Sequence, residues 1–158
     1  MKLNQNSKIN LPLYLPKPRG ANGTYLRIVS INDVYDINNY PYVETVIKSL
    51  KQTAEDAVVV SCLNGDFLSP CLLTSLDGGK SILDVLKVVN IDYICFGNHE
   101  FDVNLDVLQE RFKTYQGKCL NSNIYNLPIV DSSGNYLPKY DIIKVGEHKV
   151  AFSGFCTN

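Results

Sequence analysis

No apolar run in these 158 residues approaches the roughly 18 that a membrane-spanning helix requires. Leu11-Pro12-Leu13-Tyr14-Leu15-Pro16 is apolar but short and broken by proline, so no secretory signal peptide is expected at the N-terminus. Charge bias is also lacking. With 15 basic and 16 acidic residues the formal net charge is −1, which gives no global pull toward nucleic acid or an anionic membrane. CxxC pairs and zinc-finger spacings are absent. The five cysteines are an odd number, and Cys62, Cys95 and Cys156 sit inside apolar runs, where a free thiol behaves as a small hydrophobe. A reducing, cytoplasmic setting is the expectation. Histidine is scarce: His99 and His148 are the only two. Gly79-Lys80-Ser81 imitates the tail of a phosphate-binding loop, but Thr74 stands where the first glycine is required, which excludes that type of nucleotide site. There is no internal repeat and no low-complexity tract.

What is present is an α/β pattern of single-domain size. Residues 1–24 are polar and rich in Asn and Pro, and prolines 12, 16 and 18 predict an extended arm. Residues 25–158 then form the domain. Leu26–Asn32 and Ala57–Leu63 read as strands. A third apolar run, Asp92–Phe96, leads into Gly97-Asn98-His99-Glu100-Phe101-Asp102. Between the strands, Val43, Val46, Ile47 and Leu50 predict a helix from Pro41 to about Thr53, and Ile82, Leu83, Leu86 and Val89 predict another. A third is expected from Leu105 to Tyr115, followed by a short strand to Asn121. Tyr140–Val145 and Lys149–Gly154, flanking Gly146-Glu147-His148, predict a β-hairpin with His148 solvated at its tip.

Asp33, Asp66 and Asn98 each follow an apolar strand at near-equal intervals. A βαβ step takes about 30 residues or more, so three successive parallel strands would bring all three to one edge of one sheet. Ligands bind at that edge in open α/β sheets. Two carboxylates, an amide and a histidine suit a divalent metal such as Mn, Mg, Zn or Fe. Asp102 lies three residues beyond His99 and would face its ring across a turn, an arrangement for acid/base work. Strand-end carboxylates are also common helix caps, and the alternative here is that Asn98 caps the next helix while His99 lies on the surface.

Asn32-Asp33-Val34-Tyr35, Asn64-Gly65-Asp66 and Gly97-Asn98-His99-Glu100-Phe101-Asp102 resemble the first three motif blocks of the calcineurin-like metallophosphoesterases. The last block is similar to the 5'-nucleotidase branch, and the resemblance runs over about residues 25–156. It implies the N-terminal half of an αββα sandwich, here βαβαβα with a C-terminal β-hairpin. It also implies two divalent metal ions and hydrolysis of a phosphomonoester, such as a nucleotide. Carried over, Asp33 would bind the first metal, Asp66 would bridge both, and Asn98 would bind the second. His99, held by Asp102, would stabilise the transition state and help protonate the leaving alkoxide. Tyr35 stands where the family pattern has a His ligand. The later His blocks of the family, including Gly-His-x-His, fall beyond Asn158. The expectation is therefore a chain that supplies part of the site, with a C-terminal half or a protein partner covering the exposed half-sandwich. The alternative is a catalytically silent interaction module of the same ancestry.

Overall fold

The computed structural model describes residues 23–157. The arm expected over residues 1–24 lies outside them except for Gly23 and Thr24. The chain alternates as expected: β1 (Tyr25–Ile31), α1 (Tyr40–Gln52), β2 (Ala57–Asn64), α2 (Leu72–Asp77), α3 (Lys80–Val89), β3 (Tyr93–Cys95), α4 (Leu105–Phe112) and β4 (Lys118–Leu120). A hairpin follows, made of β5 (Tyr140–Val145) and β6 (His148–Ser153). The four strands β1 to β4 pair in parallel in sequence order, and β5 and β6 form a separate antiparallel pair.

Sequential order has a consequence for the layers. Right-handed crossovers between neighbouring parallel strands place every connecting helix on the same face of the sheet. Leu63, Ile94 and Cys119 point from the strands into that face. They meet Ile47 of α1, Ile82, Leu83 and Leu86 of α3, and Leu108 and Phe112 of α4, all buried. Phe96 stacks obliquely on Phe112 at 4.9 Å between ring centroids. Replacing a fully buried Phe by Ala costs about 3–5 kcal/mol, so Phe112 alone is a large part of what holds α4 to the sheet. Side chains hold amide groups at the start of both α3 and α4. Asp77 accepts the N–H groups of Gly79 and Ser81, each at 2.9 Å. Asn104 accepts the Asp106 N–H at 2.9 Å. Gly79-Lys80 therefore opens α3 directly after α2 rather than after a strand, unlike a phosphate-binding loop.

The other face is covered in part by the hairpin. Phe152 of β6 stacks on Tyr93 of β3 at 4.9 Å and 15°, and Ile143 joins them against Val60 and Leu120. Leu26 of β1 belongs to this cluster. Ile28, two residues on and therefore on the same face, remains 52% exposed. The hairpin turn is Gly146-Glu147, with Gly146 at φ +58°, the sign that a tight two-residue turn demands. His148 is thus the first residue of β6 rather than the tip, and it is exposed. The predicted third helix stops at Phe112, because Tyr115 turns inward as a buried aromatic against Phe112. All five cysteines are free.

Candidate active site

Three turns make up the edge of the sheet at the carboxyl ends of the strands. They are Asn32-Asp33 after β1, Gly65-Asp66 after β2, and Gly97-Asn98 after β3. Asp33 and Asp66 both have φ +56°, a left-handed conformation that Asp tolerates better than most L-residues. Such backbone costs of order 1–3 kcal/mol per residue and clusters at functional sites. The turns are also locked to one another. The Asp33 N–H donates to the Gly65 carbonyl at 3.3 Å. A Cβ on Gly65 would lie 2.5 Å from the Gly97 nitrogen, and one on Gly97 would lie 2.2 Å from Asp66 Oδ1. Two glycines therefore let the second and third turns approach within a distance that no larger residue permits.

The side chains follow from that frame. Asp66 Oδ1 accepts the backbone N–H of His99 at 3.0 Å. Asp33 accepts the side-chain amide of Asn32 on Oδ2 and the Tyr35 hydroxyl on Oδ1 at 3.0 Å. Burial first, then the hydrogen bond to Asp33 and the charges of Asp33, Asp66 and Glu100, push the Tyr35 phenol up to about 12. Tyr35 is thus a neutral donor that orients Asp33. Asn98 is exposed at the start of a 3-10 turn, Asn98–Asp102. It caps no part of α4, whose cap is Asn104.

That turn brings the third residue after His99 back over its ring. His99 Nδ1 and Asp102 Oδ2 are 2.9 Å apart. The hydrogen bond to Asp102 raises the His99 pKa above 6.5. Desolvation opposes it, and the charges of Asp102, Asp66 and Glu100 add to it. Asp102 is lowered below 3.8, first by His99 and then by Ser69, whose hydroxyl donates to Oδ2 at 2.8 Å. His148 has no part in this. It sits by the hairpin turn, where Gly146 lies beside Thr24 at the opposite end of β1 from Asp33.

One residue of the motif has a place that sequence reasoning missed. Glu100 is fully buried. Its Oε2 accepts the N–H groups of Asp66 at 2.8 Å and Gly97 at 2.7 Å, and its Oε1 accepts those of Phe67 at 2.7 Å and Leu68 at 3.0 Å. Part of this was legible. A Glu three residues after Gly97 is in register to reach back to the Gly97 N–H at the start of a helical turn. Ser69 gave no comparable signal.

The donor set suits a metal in part. Asp33, Asp66 and the Asn98 amide offer oxygen ligands of the kind that hard divalent cations prefer. Such ions take about four to six or more donors. Among the described residues, no cluster of three or more His, Cys, Asp or Glu side chains is arranged to hold one.

The family model for calcineurin-like phosphoesterases matches residues 26–154, which include every turn described above. The chain belongs to the calcineurin-like phosphoesterase family. It is 27% identical over 125 residues to the NAD 5'-nucleotidase of Haemophilus influenzae, covering 77% of this chain and 20% of that protein. It is 32% identical over 81 residues to the snake venom 5'-nucleotidase of Naja atra, covering 50% of this chain and 15% of that one. Both relatives are 5'-nucleotidases. The solved structure of the H. influenzae NAD nucleotidase superposes with a TM-score of 0.67 at 24% identity, over 84% of this chain and 26% of that one. The calcineurin-like phosphoesterase YfkN of Bacillus subtilis superposes with a TM-score of 0.59 at 20% identity, over 83% and 48%. At those identities the superpositions support the fold, an N-terminal half-domain of the phosphoesterase sandwich. The chain spans about a fifth of the H. influenzae relative. No helix among the described residues is long and apolar enough to cross a membrane.

Proposed function

We propose that this chain contributes the first half of the active site of a metal-dependent phosphomonoesterase of the 5'-nucleotidase type, acting on a nucleotide or a similar phosphomonoester. The single observation that carries this reading is the joining of three strand-end turns: Asp33 N–H to Gly65 O, and Asp66 Oδ1 to His99 N–H. Asp33, Asp66 and Asn98 would hold the divalent cations, with Asp66 placed between the other two turns. Bound there, two divalent ions supply Lewis-acid polarisation and neutralise the charge that develops on the phosphoryl oxygens. The chain's own residues do the rest. Tyr35 and Asn32 fix the Asp33 carboxylate. Asp102 engages Nδ1 of His99, so Nε2 is the nitrogen that would give a proton to the leaving alkoxide. The raised pKa of the ring keeps more of it in the protonated, donating form near neutrality.

A further segment, in the same polypeptide or a partner, would complete the ligand set and cover the open part of the sheet around Ile28. The incomplete carboxylate cluster and the exposure of Ile28 support this. The five free thiols support a reducing, cytoplasmic setting. A silent interaction module is the second reading, favoured by Tyr35 donating to Asp33 in the place of a His ligand. Release of phosphate from a nucleoside monophosphate in the presence of Mn2+, with and without a C-terminal half supplied in trans, decides between the two. The phosphatase reading expects activity that is lost in Asp66→Ala. Undiminished turnover by that variant, or no divalent-metal binding by calorimetry in either preparation, overturns it.

A further inference from the structure

Glu100 is the only fully buried carboxylate among the described residues, and the chemistry proposed above makes no use of it. Its four acceptor positions are filled by backbone N–H groups from two separate turns, three from the turn after β2 and one from the turn after β3. Three successive donors, Asp66, Phe67 and Leu68, converge on one carboxylate, and the left-handed φ of Asp66 is the kind of twist that lets consecutive N–H groups form a concave anion nest. The return contact runs the other way, from the His99 N–H to Asp66 Oδ1 at 3.0 Å. The two turns are therefore cross-braced, each holding the other's backbone with a carboxylate.

We infer that Glu100 is a positioning residue, an internal anion that clamps the turn after β2 to the turn after β3 and thereby sets the Asp66 carboxylate against the His99 backbone N–H. The inference deepens the phosphatase reading and rests on it only for its effect on turnover, because the clamp itself is a property of the folded chain. The physical argument lies in the backbone of Asp66. A residue in strained, left-handed backbone persists when its surroundings over-determine it. Here the over-determination comes from Glu100 on its N–H, from the Gly97 backbone against its side chain, and from the His99 N–H on its oxygen. A neutral glutamine cannot reproduce this. It keeps one acceptor oxygen and turns an NH2 donor toward N–H groups that are themselves donors.

The test is amide hydrogen exchange on the full chain, read residue by residue by NMR for the wild type and Glu100→Gln, with phosphatase kinetics in parallel. In the wild type, the amides of Asp66, Phe67, Leu68 and Gly97 should exchange at least about tenfold more slowly than unstructured peptide, as expected for hydrogen bonds to a charged acceptor. In Glu100→Gln they should lose that protection. The His99 amide should lose it too, although its own partner Asp66 is intact, while Leu63 and Ile94 in the strands keep theirs. Turnover should fall about 100-fold with KM little changed, and Glu100→Asp should recover part of it. Protection retained at residues 66–68 in a folded Glu100→Gln protein overturns the inference. So do wild-type amides that exchange at unstructured rates, which decides the matter even if the variant fails to fold. If exchange behaves as expected while neither protein hydrolyses phosphate esters even with Mn2+ and a C-terminal half supplied in trans, the clamp stands and the phosphatase reading fails.

Discussion

The hydroxyl of Ser69 donates to the same oxygen of Asp102 that faces the His99 ring, at 2.8 Å against 2.9 Å for His99 Nδ1. Ser69 comes from the segment after β2, whereas Asp102 and His99 come from the turn after β3, so this hydrogen bond is a second tie between the two turns. Its chemical effect is on direction. With one lone pair of Oδ2 taken by the serine, the carboxylate is held in the orientation that meets the imidazole. Ser69→Ala should therefore lower kcat by about threefold to tenfold, the range that corresponds to one solvent-exposed hydrogen bond of ordinary net strength. Asp102→Ala should lower it further, because the ring then loses its only side-chain anchor in the turn. Steady-state kinetics of the two variants, with melting temperatures to exclude unfolding, check the order.

His99→Ala should show its effect through the leaving group. An alkoxide leaving from a nucleoside monophosphate needs a proton, while p-nitrophenolate departs well without one. General acid catalysis contributes about 10²–10⁴ in rate. The loss should lie in that range for the nucleotide and be at least about tenfold smaller for p-nitrophenyl phosphate. Equal losses on both substrates would assign His99 to phosphoryl charge stabilisation rather than to proton donation.

The layered architecture was legible because apolar strands and amphipathic helices write their periods into the chain. Ile82, Leu83, Leu86 and Val89 announced α3, and all four are buried there. Helix α2 was not legible. It is six residues long, buries only Thr74 and leaves Leu72 and Leu76 exposed, so it carries no apolar stripe to read. At the site, the pairing of His99 with Asp102 followed from their spacing of three, which any helical turn converts into a contact. The grip of Glu100 on residues 66–68 could not follow from spacing, since it joins positions more than thirty apart in the chain. Tyr35 illustrates the same limit. Its departure from the family pattern was visible, but its hydrogen bond to Asp33 depends on how the turn after β1 folds.

Gly97→Ala tests the close approach of the turns. The backbone of Gly97 is extended, with φ −97°, so alanine meets no torsional penalty. The obstacle is contact, because the added methyl would lie 2.2 Å from Asp66 Oδ1 and 2.7 Å from the Asp66 nitrogen. The Asp66 turn must therefore move, which breaks its hydrogen bonds to His99 and Glu100. Overpacking of this kind destabilises by about 1–3 kcal/mol, and activity should fall far more than stability does. Urea denaturation and phosphatase assays on the same preparation compare the two.

The hairpin should be fastened to the sheet in a pH-dependent way through Asp141. Its carboxylate accepts the Tyr93 hydroxyl at 2.7 Å and pairs with Lys118. The Lys118 hydrogen bond first, then that of Tyr93, lowers its pKa below 3.8. A carboxyl whose pKa is depressed by folding adds stability that is fully present above its unfolded pKa. That stability is lost as the pH falls through the folded pKa. Asp141→Asn keeps an acceptor for Tyr93 and removes only the charge. Because Lys118 is largely exposed, the wild type should exceed the variant by at most about 1 kcal/mol at pH 7. The gap should close below pH 3.8, where the two denaturation midpoints converge. The absence of any gap at pH 7 would show that the hairpin is held by the Tyr93–Phe152 stack and the apolar contacts of Ile143 alone. A gap that persists unchanged in acid would trace the loss to the amide substitution rather than to the charge.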